Sequence, residues 1–303
     1  MLPFKTNFGF VIWVIIQLSL NGLALGASVQ NPDIKDRPSP CGTQITTADF
    51  QRTLDVLTGL SLHGPGKRQV GPAISHTFDV VWHIVASNIS YAGGWVPDSQ
   101  IDGQMNMLNR HYEGTGISWR HSKTIRILSP HWHEYITTNT TGLRSDMQRL
   151  FNEGGATTLN VYTLGFHRDF VNGYSSQPVD YLNNPKEDGV AIRFTTLPGG
   201  ISDQRAGGTL THESGHWLGL RHTFEGGCEG DGDGIWDTPA EASPAFGCPV
   251  GRDSCPDQPG LDPIYNFMDY TDEDCRSEFT PGQVDMMQAV IRAFRSNDMG
   301  TPI

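Results

Sequence analysis

The chain has 303 residues, of which 37% are hydrophobic, enough apolar side chain for one large domain or two small ones and too much for disorder over most of its length. Its formal charge is -12, with 21 Lys and Arg against 33 Asp and Glu, so it lacks the concentrated cationic surface that phosphate binding needs. A nucleic-acid partner is excluded, and an acidic secreted protein fits the balance.

At the N-terminus, Lys5 precedes the apolar run Phe8 to Leu20, and small residues follow around "ALGA". This is the pattern of a signal peptide, expected over residues 1–27. The run is interrupted by Gln17 and Ser19 and falls short of the ~20 residues that span a bilayer, so no stable membrane anchor is expected once it is removed. Residues 28–69 read as a propeptide-like segment. "SVQNPDIKDRPSPCGTQ" has no apolar period, Thr46 to Leu60 places Phe50, Leu54, Leu57 and Leu60 at helical spacing, and "HGPGKRQVGP" then breaks the pattern. The dibasic Lys67-Arg68 in that breaker is either a cleavage point or a solvated loop.

From Phe78 the texture changes. "FDVVWHIVAS", "KTIRIL" (Lys123 to Leu128), "TLNVYTLGF" (Thr158 to Phe166) and "VAIRF" (Val190 to Phe194) are short β-rich runs bounded by turn residues. Helical spacing appears over Asp98 to Glu113 and again over Ser145 to Asn152. Strands interleaved with helices predict an α/β sandwich, an N-terminal subdomain of about residues 70–219 with a mixed four- or five-stranded sheet and two long helices. The sequons at Asn88 and Asn139 are candidate glycosylation sites. "HWHE" (His131 to Glu134) has a metal-like look but reads as solvated side chains, and His167 shows no partner pattern.

"GTLTHESGHWLGLRHTF" (Gly208 to Phe224) carries the chemistry. His212 and His216 lie four apart, so on a helix both imidazoles leave the same face. Gly219 can end that helix with positive φ and let the chain carry His222 back as a third ligand. Three neutral imidazoles leave a fourth zinc position open, as a catalytic site requires, with Glu213 beside them. Three coincidental histidines are the competing reading, but this extended spacing should arise by chance in about one chain per twenty thousand.

Beyond it, residues 226–278 are dominated by Gly, Pro, Asp and Cys. Such a loop-rich subdomain, about residues 220–300, buries too little apolar surface to hold itself together and needs staples. Cys228, Cys248, Cys255 and Cys275 crowd this part, and spacing alone leaves three pairings open. "CEGDGDGIWDTP" sets Asp231, Asp233, Asp237 and Thr238 in a Gly-rich loop, either an exposed acidic turn or a calcium site. A last helix starts with Thr280 as N-cap and Pro281 at N1.

"HESGHWLGLRH" followed by "NFMDY" (Asn266 to Tyr270) resembles the metzincin signature with its Met-turn, and within metzincins the chain is similar to the pappalysin family, particularly its secreted fungal metalloproteases. "YAGGWVPDSQI", "GTGISW", "HTFEGGCEG", "GCPVGRD" and "FTPGQVDMM" extend the resemblance over roughly residues 70–294. It implies a secreted zinc endopeptidase acting on proteins or peptides. His212, His216 and His222 would hold zinc, Glu213 would be the general base, Met268 the floor beneath the metal, and Tyr270 the hydrogen-bond donor to the oxyanion. It also implies the pairs Cys228 to Cys255 and Cys248 to Cys275, tips the Asp231 to Thr238 loop toward calcium, and puts the acidic Glu273 in the pocket for the residue after the scissile bond. Cys41 is then the odd thiol. In the propeptide of a zinc protease it suggests a cysteine switch on the open zinc position, against a free or intermolecular thiol. A catalytically silent binding protein, or a module in which metal only stabilises the fold, is the alternative function.

Overall fold

β1 (His76–Ala86) alternates its side chains between two cores, because successive residues of a strand face opposite ways. Phe78, Val80, Trp82 and Ile84 enter one core and Val85 the other, and β3 (Thr158–Leu164) divides Leu159 and Val161 from Tyr162 and Leu164 in the same manner. Both faces of the sheet are therefore covered, as the apolar runs require. With β2 (Ile117–Leu128), β4 (Gly173–Ser175) and β5 (Val190–Arg193) the strands form one five-stranded sheet in the order β2-β1-β3-β5-β4. All pairs are parallel except β4, which runs antiparallel to β5 at the edge. The computed structural model describes residues 39–59, 75–200 and 207–296, all within the compact unit Pro38–Ile303. The expected signal peptide and Lys67-Arg68 lie outside the described residues.

α2 (Asp98–His111), α6 (Gly208–Trp217) and α7 (Pro281–Phe294) bury residues in the larger core, α1 (Thr47–Gly59) adds Phe50 and Leu57 to it, and the single-turn α5 (Pro178–Tyr181) stands between β4 and β5 in the chain. α3 (Pro130–Tyr135) and α4 (Thr141–Phe151) cover the opposite face, where Ile136 and Met147 join the smaller core. The sandwich is as expected, with differences in extent. β2 begins six residues before "KTIRIL", at Ile117, because its first half lies on a sheet edge and carries exposed Arg120, His121 and Ser122 instead of an apolar run. α4 begins at Thr141 and not Ser145. β4 is too short, at three residues, to leave a periodic signal.

Residues 218–280 contain no helix or multi-residue strand and are held by covalent and ionic staples. Disulfides join Cys228 to Cys255 and Cys248 to Cys275. Between them Arg252 pairs with the buried carboxylates of Glu241 and Asp262. α7 follows with a capping box in which Thr280 accepts from Gln283 N and the Gln283 side chain answers the cap. Its far end is fastened by the wholly buried Arg295, which donates to Asp188 Oδ2 at 2.8 Å and to Trp217 O at 3.2 Å. Trp217 Nε1 donates to the same carboxylate oxygen at 2.9 Å, so one ion pair ties α7 to the end of α6. Removing one partner leaves a buried charge unpaired. Arg295→Ala should therefore destabilise the protein by about 3–5 kcal/mol in chemical denaturation, and a loss below ~1 kcal/mol would show the pair to be dispensable.

Candidate metal centre and active site

All ten residues of α6 are buried, which is unusual for a helix carrying two histidines and a glutamate and costs free energy unless each polar group is partnered. The helix stops where glycine allows it. Gly219 has φ 88, Leu220 N donates back to Gly215 O at 3.0 Å and Gly219 N to His216 O at 2.9 Å, which together close a Schellman-type turn. A Cβ at Gly219 would also lie 2.8 Å from Val290 Cγ2. The reversed chain brings His222 against the helix, as the spacing predicts.

The three imidazoles meet at their Nε2 atoms. His216 Nε2 is 3.2 Å from His212 Nε2 and 3.1 Å from His222 Nε2. Each Nδ1 faces an acceptor: Phe267 O at 2.7 Å for His212, Leu220 O at 2.8 Å for His216, and Glu225 Oε1 at 3.2 Å for His222. An oxygen acceptor there forces the proton onto Nδ1 and leaves a bare lone pair on Nε2. Burial and repulsion from the neighbouring imidazoles hold His212 and His216 well below the usual value, and burial lowers His222, so all three stay neutral. Three converging lone pairs cannot hydrogen-bond one another. The donor set fits a borderline divalent cation of the zinc class, and the outer acceptors orient its ligands.

Tyr270 Oη lies 3.1 Å from His222 Nε2 and Cys41 Sγ lies 3.5 Å from His216 Nε2, so both side chains face the same point. Cys41, His212, His216 and His222 form a buried four-ligand group. Met268 is fully buried under α6, its Sδ 2.4 Å from where a Cβ on Gly215 would stand. Burial pushes the Glu213 carboxyl up to about 8. Its Oε2 accepts from Thr43 Oγ1 at 2.8 Å.

Thr43 and Cys41 belong to a segment laid along β4. Cys41 bridges Gly173 in parallel, Gly42 N donates to Gly173 O at 2.8 Å, Asn172 N to Pro40 O at 2.6 Å, and Ser175 N to Thr43 Oγ1 at 2.8 Å. Ser39 Oγ shares a hydrogen bond with Tyr270 Oη at 2.8 Å. Burial and the nearby Glu213 charge push the Cys41 thiol well up, while Thr43 N donates to its sulfur at 3.3 Å.

The remaining candidates fall elsewhere. Glu273 Oε1 accepts from Thr209 N at 3.1 Å, at the N-terminus of α6. The adjoining pocket is lined by Cys41, Asn172, Thr209, Glu213, Tyr270 and Arg276. In the acidic loop, Asp237 accepts from Gly282 N at 2.8 Å and Thr280 Oγ1 at 2.7 Å, capping α7, while Asp233 Oδ1 accepts from Ile235 N. Asp231, Asp233 and Asp237 do not bring three ligand atoms together among the described residues. Asn88 and Asn139 are exposed. Thr43, Glu225 and Arg276 were not singled out by sequence; only Glu225, three residues after His222, leaves a local clue.

The Peptidase_M43 family, described as pregnancy-associated plasma protein-A, matches residues 190–292. An extracellular metalloprotease of Colletotrichum graminicola is 40% identical over 230 residues, 74% of this chain and 79% of that one. The chain belongs to the pappalysin family. A second relative of this pappalysin, from Sordaria macrospora and also called an extracellular metalloprotease, is 36% identical over 278 residues, 90% of this chain and 94% of its own. Among solved structures the fold is similar to a mutant of Tannerella forsythia promirolysin, at 24% identity and TM-score 0.69 over 86% of this chain and 97% of that one. Mature mirolysin in complex with a cleaved peptide gives 25% identity and TM-score 0.62 over 76% and 100%. The chain is thus a zinc metalloendopeptidase with a metzincin-like fold. As a pappalysin it should depend on the outer partners of its histidines. Glu225→Ala should weaken zinc retention about ten- to a hundredfold in chelator competition, and unchanged affinity would remove Glu225 from the support of His222.

Proposed function

We propose that this pappalysin is secreted as a latent precursor in which His212, His216 and His222 hold zinc, Glu213 is the general base, Tyr270 steadies the oxyanion and Cys41 closes the site. The observation that carries the reading is the meeting of three bare imidazole nitrogens with the Cys41 sulfur on one buried point. Residues 1–27 would be the signal peptide, 28–69 the propeptide and 70–300 the mature domain, released by a cut near Lys67-Arg68. The extracellular relatives support secretion, and none of the helices among the described residues is long and apolar enough to cross a membrane. Exposure of Asn88 and Asn139 is compatible with glycosylation, which an endoglycosidase mobility shift would reveal and an unchanged mass would refute.

When bound, zinc supplies a Lewis acid that acidifies water and polarises a carbonyl. Glu213 takes one proton as water oxygen bonds to the scissile carbonyl carbon, then passes it to the departing amide nitrogen as the C–N bond breaks. Its place on α6, one residue after His212, sets the carboxylate beside the metal position, and loss of the Thr43 contact frees Oε2 for that proton. Tyr270 donates its hydroxyl proton in a hydrogen bond to the oxyanion once the Ser39 contact is gone. Glu213→Gln should keep zinc content and lower peptidase activity by about 10²- to 10⁴-fold, and substantial remaining turnover would sink the mechanism.

Latency rests on the segment 39–43, which occupies Glu213 through Thr43, Tyr270 through Ser39 and the edge of β4 through its backbone. A thiol pushed up by burial and by Glu213 becomes a thiolate there when a divalent cation faces it. The fold match to promirolysin covers 86% of the chain against 76% for mature mirolysin, which supports reading the N-terminal part as prosegment. The Cys41→Ser precursor should hydrolyse peptides or process itself about tenfold faster than wild type, and equal rates would end the switch reading.

Selectivity is assigned to Glu273, at the start of α6 near the pocket, with a basic residue preferred just after the cut bond. Arg276 on the pocket wall is faced by Glu273, Asp269 and Asp272, so the surrounding charge is acidic in sum. Cleavage profiling should show Lys or Arg at that position, and Glu273→Gln should erode the preference about tenfold; a profile dominated by apolar or acidic residues would overturn it.

A further inference from the structure

We propose that His133, Glu134 and His167 form a second divalent transition-metal site, separate from the three catalytic histidines, at the carboxyl ends of β1 and β3. In an α/β sheet this is where side chains from successive loops converge. His133, on α3, is wholly buried, and its Nδ1 lies 2.7 Å from Val85 O at the end of β1. A carbonyl acceptor fixes the proton on Nδ1, so Nε2 presents a lone pair, and that nitrogen has no hydrogen-bond partner. A buried acceptor left bare is a cost that a ligand would remove.

Two more donors stand against it. His167 follows β3, its ring centroid 5.2 Å from that of His133, and its Nε2 lies 3.8 Å from Glu134 Oε1. One ligand atom from each of the three residues lies within 4.8 Å of the other two. Gly165 leaves room for this approach: a Cβ there would stand 2.4 Å from His167 Nε2 and 2.8 Å from His133 Nε2.

The backbone that presents His167 is both strained and pinned. Phe166 is the one non-glycine residue with positive φ among the described residues, at 48°. Arg193 holds the same loop by donating to Gly165 O, Asp169 O and Val171 O. His133 is thus a fixed anchor, while Glu134 and His167 are about two-fifths exposed and can rotate. Zinc ligands at ~2.0–2.1 Å sit about 3.3 Å from one another in a tetrahedron, so those two side chains need to move by roughly an ångström. Two imidazoles and one carboxylate select zinc, copper or nickel over calcium and magnesium, which take oxygen ligands. Bound there, the ion ties α3 to residues 165–172, whose last member, Asn172, lines the catalytic pocket.

The site stands independently of the catalytic reading, and its test reads metal and not turnover. The secreted precursor is equilibrated with zinc alone at a free concentration about tenfold above that which fills the three-histidine cluster, and metal content is measured. Wild type should hold two equivalents. His167→Ala and Glu134→Ala should each hold one, while His212→Ala combined with His216→Ala should keep the second. Melting in chelator confirms that the half-exposed variants fold like wild type. One equivalent in wild type, or two in His167→Ala, would overturn the proposal.

Discussion

Three imidazole lone pairs aimed at one buried point repel one another unless a cation sits among them. Most of the architecture around residues 208–224 serves to enforce that arrangement. Each ring is turned by an acceptor at Nδ1, and the acceptors come from different places: Phe267 beside Met268, Leu220 beyond the Schellman-type turn, and Glu225 on the returning chain. Metal binding there would be linked to folding, because the oxygens that orient the three rings exist in the right places only in the folded chain. The ion pair of Arg295 with Asp188, together with the hydrogen bonds each makes to Trp217, extends the same constraint to α7, which closes behind the helix that carries two of the rings.

A site built from neutral, desolvated groups attracts any donor that can reach it. Segment 39–43 reaches it by adding to an existing edge, since β4 offers unpaired backbone groups and the segment takes them up at Gly173 and Asn172. The same few residues place Cys41 beside His216 and Thr43 on Glu213. Backbone pairing provides the register, and the side chains then arrive where a substrate would have to lie.

The loop-rich part after α6 shows how little regular structure such a site needs. Two disulfides and the buried Arg252 carboxylate pairs hold residues 220–280 in place of a helix or sheet, and Asp237 serves as a cap for α7. An acidic, glycine-rich loop looks alike in sequence whether its carboxylates face an ion or a helix terminus. At Asp237 the structure shows the hydrogen bonds to Thr280 and Gly282 at the start of α7.

What could be read from sequence was what local backbone geometry determines. A separation of four residues puts His212 and His216 on one face, Gly219 permits the reversal that delivers His222, Thr280 with Pro281 announces a capped helix, and short β-rich runs announce β1, β3 and β5. The edge strands were poorly legible because partial exposure removes the apolar signal in β2 and three residues carry none in β4. Tertiary structure decided everything that depends on which strands become neighbours. Ser39 meets Tyr270 across a separation of 231 residues, and His133, on α3 after β2, meets His167, after β3, because both strands flank β1 in parallel and their chains leave at the same end of the sheet. Propensity and spacing act over a turn or two of chain, whereas the convergence of side chains from distant loops is set by the packing of the whole sheet, and no local pattern encodes it.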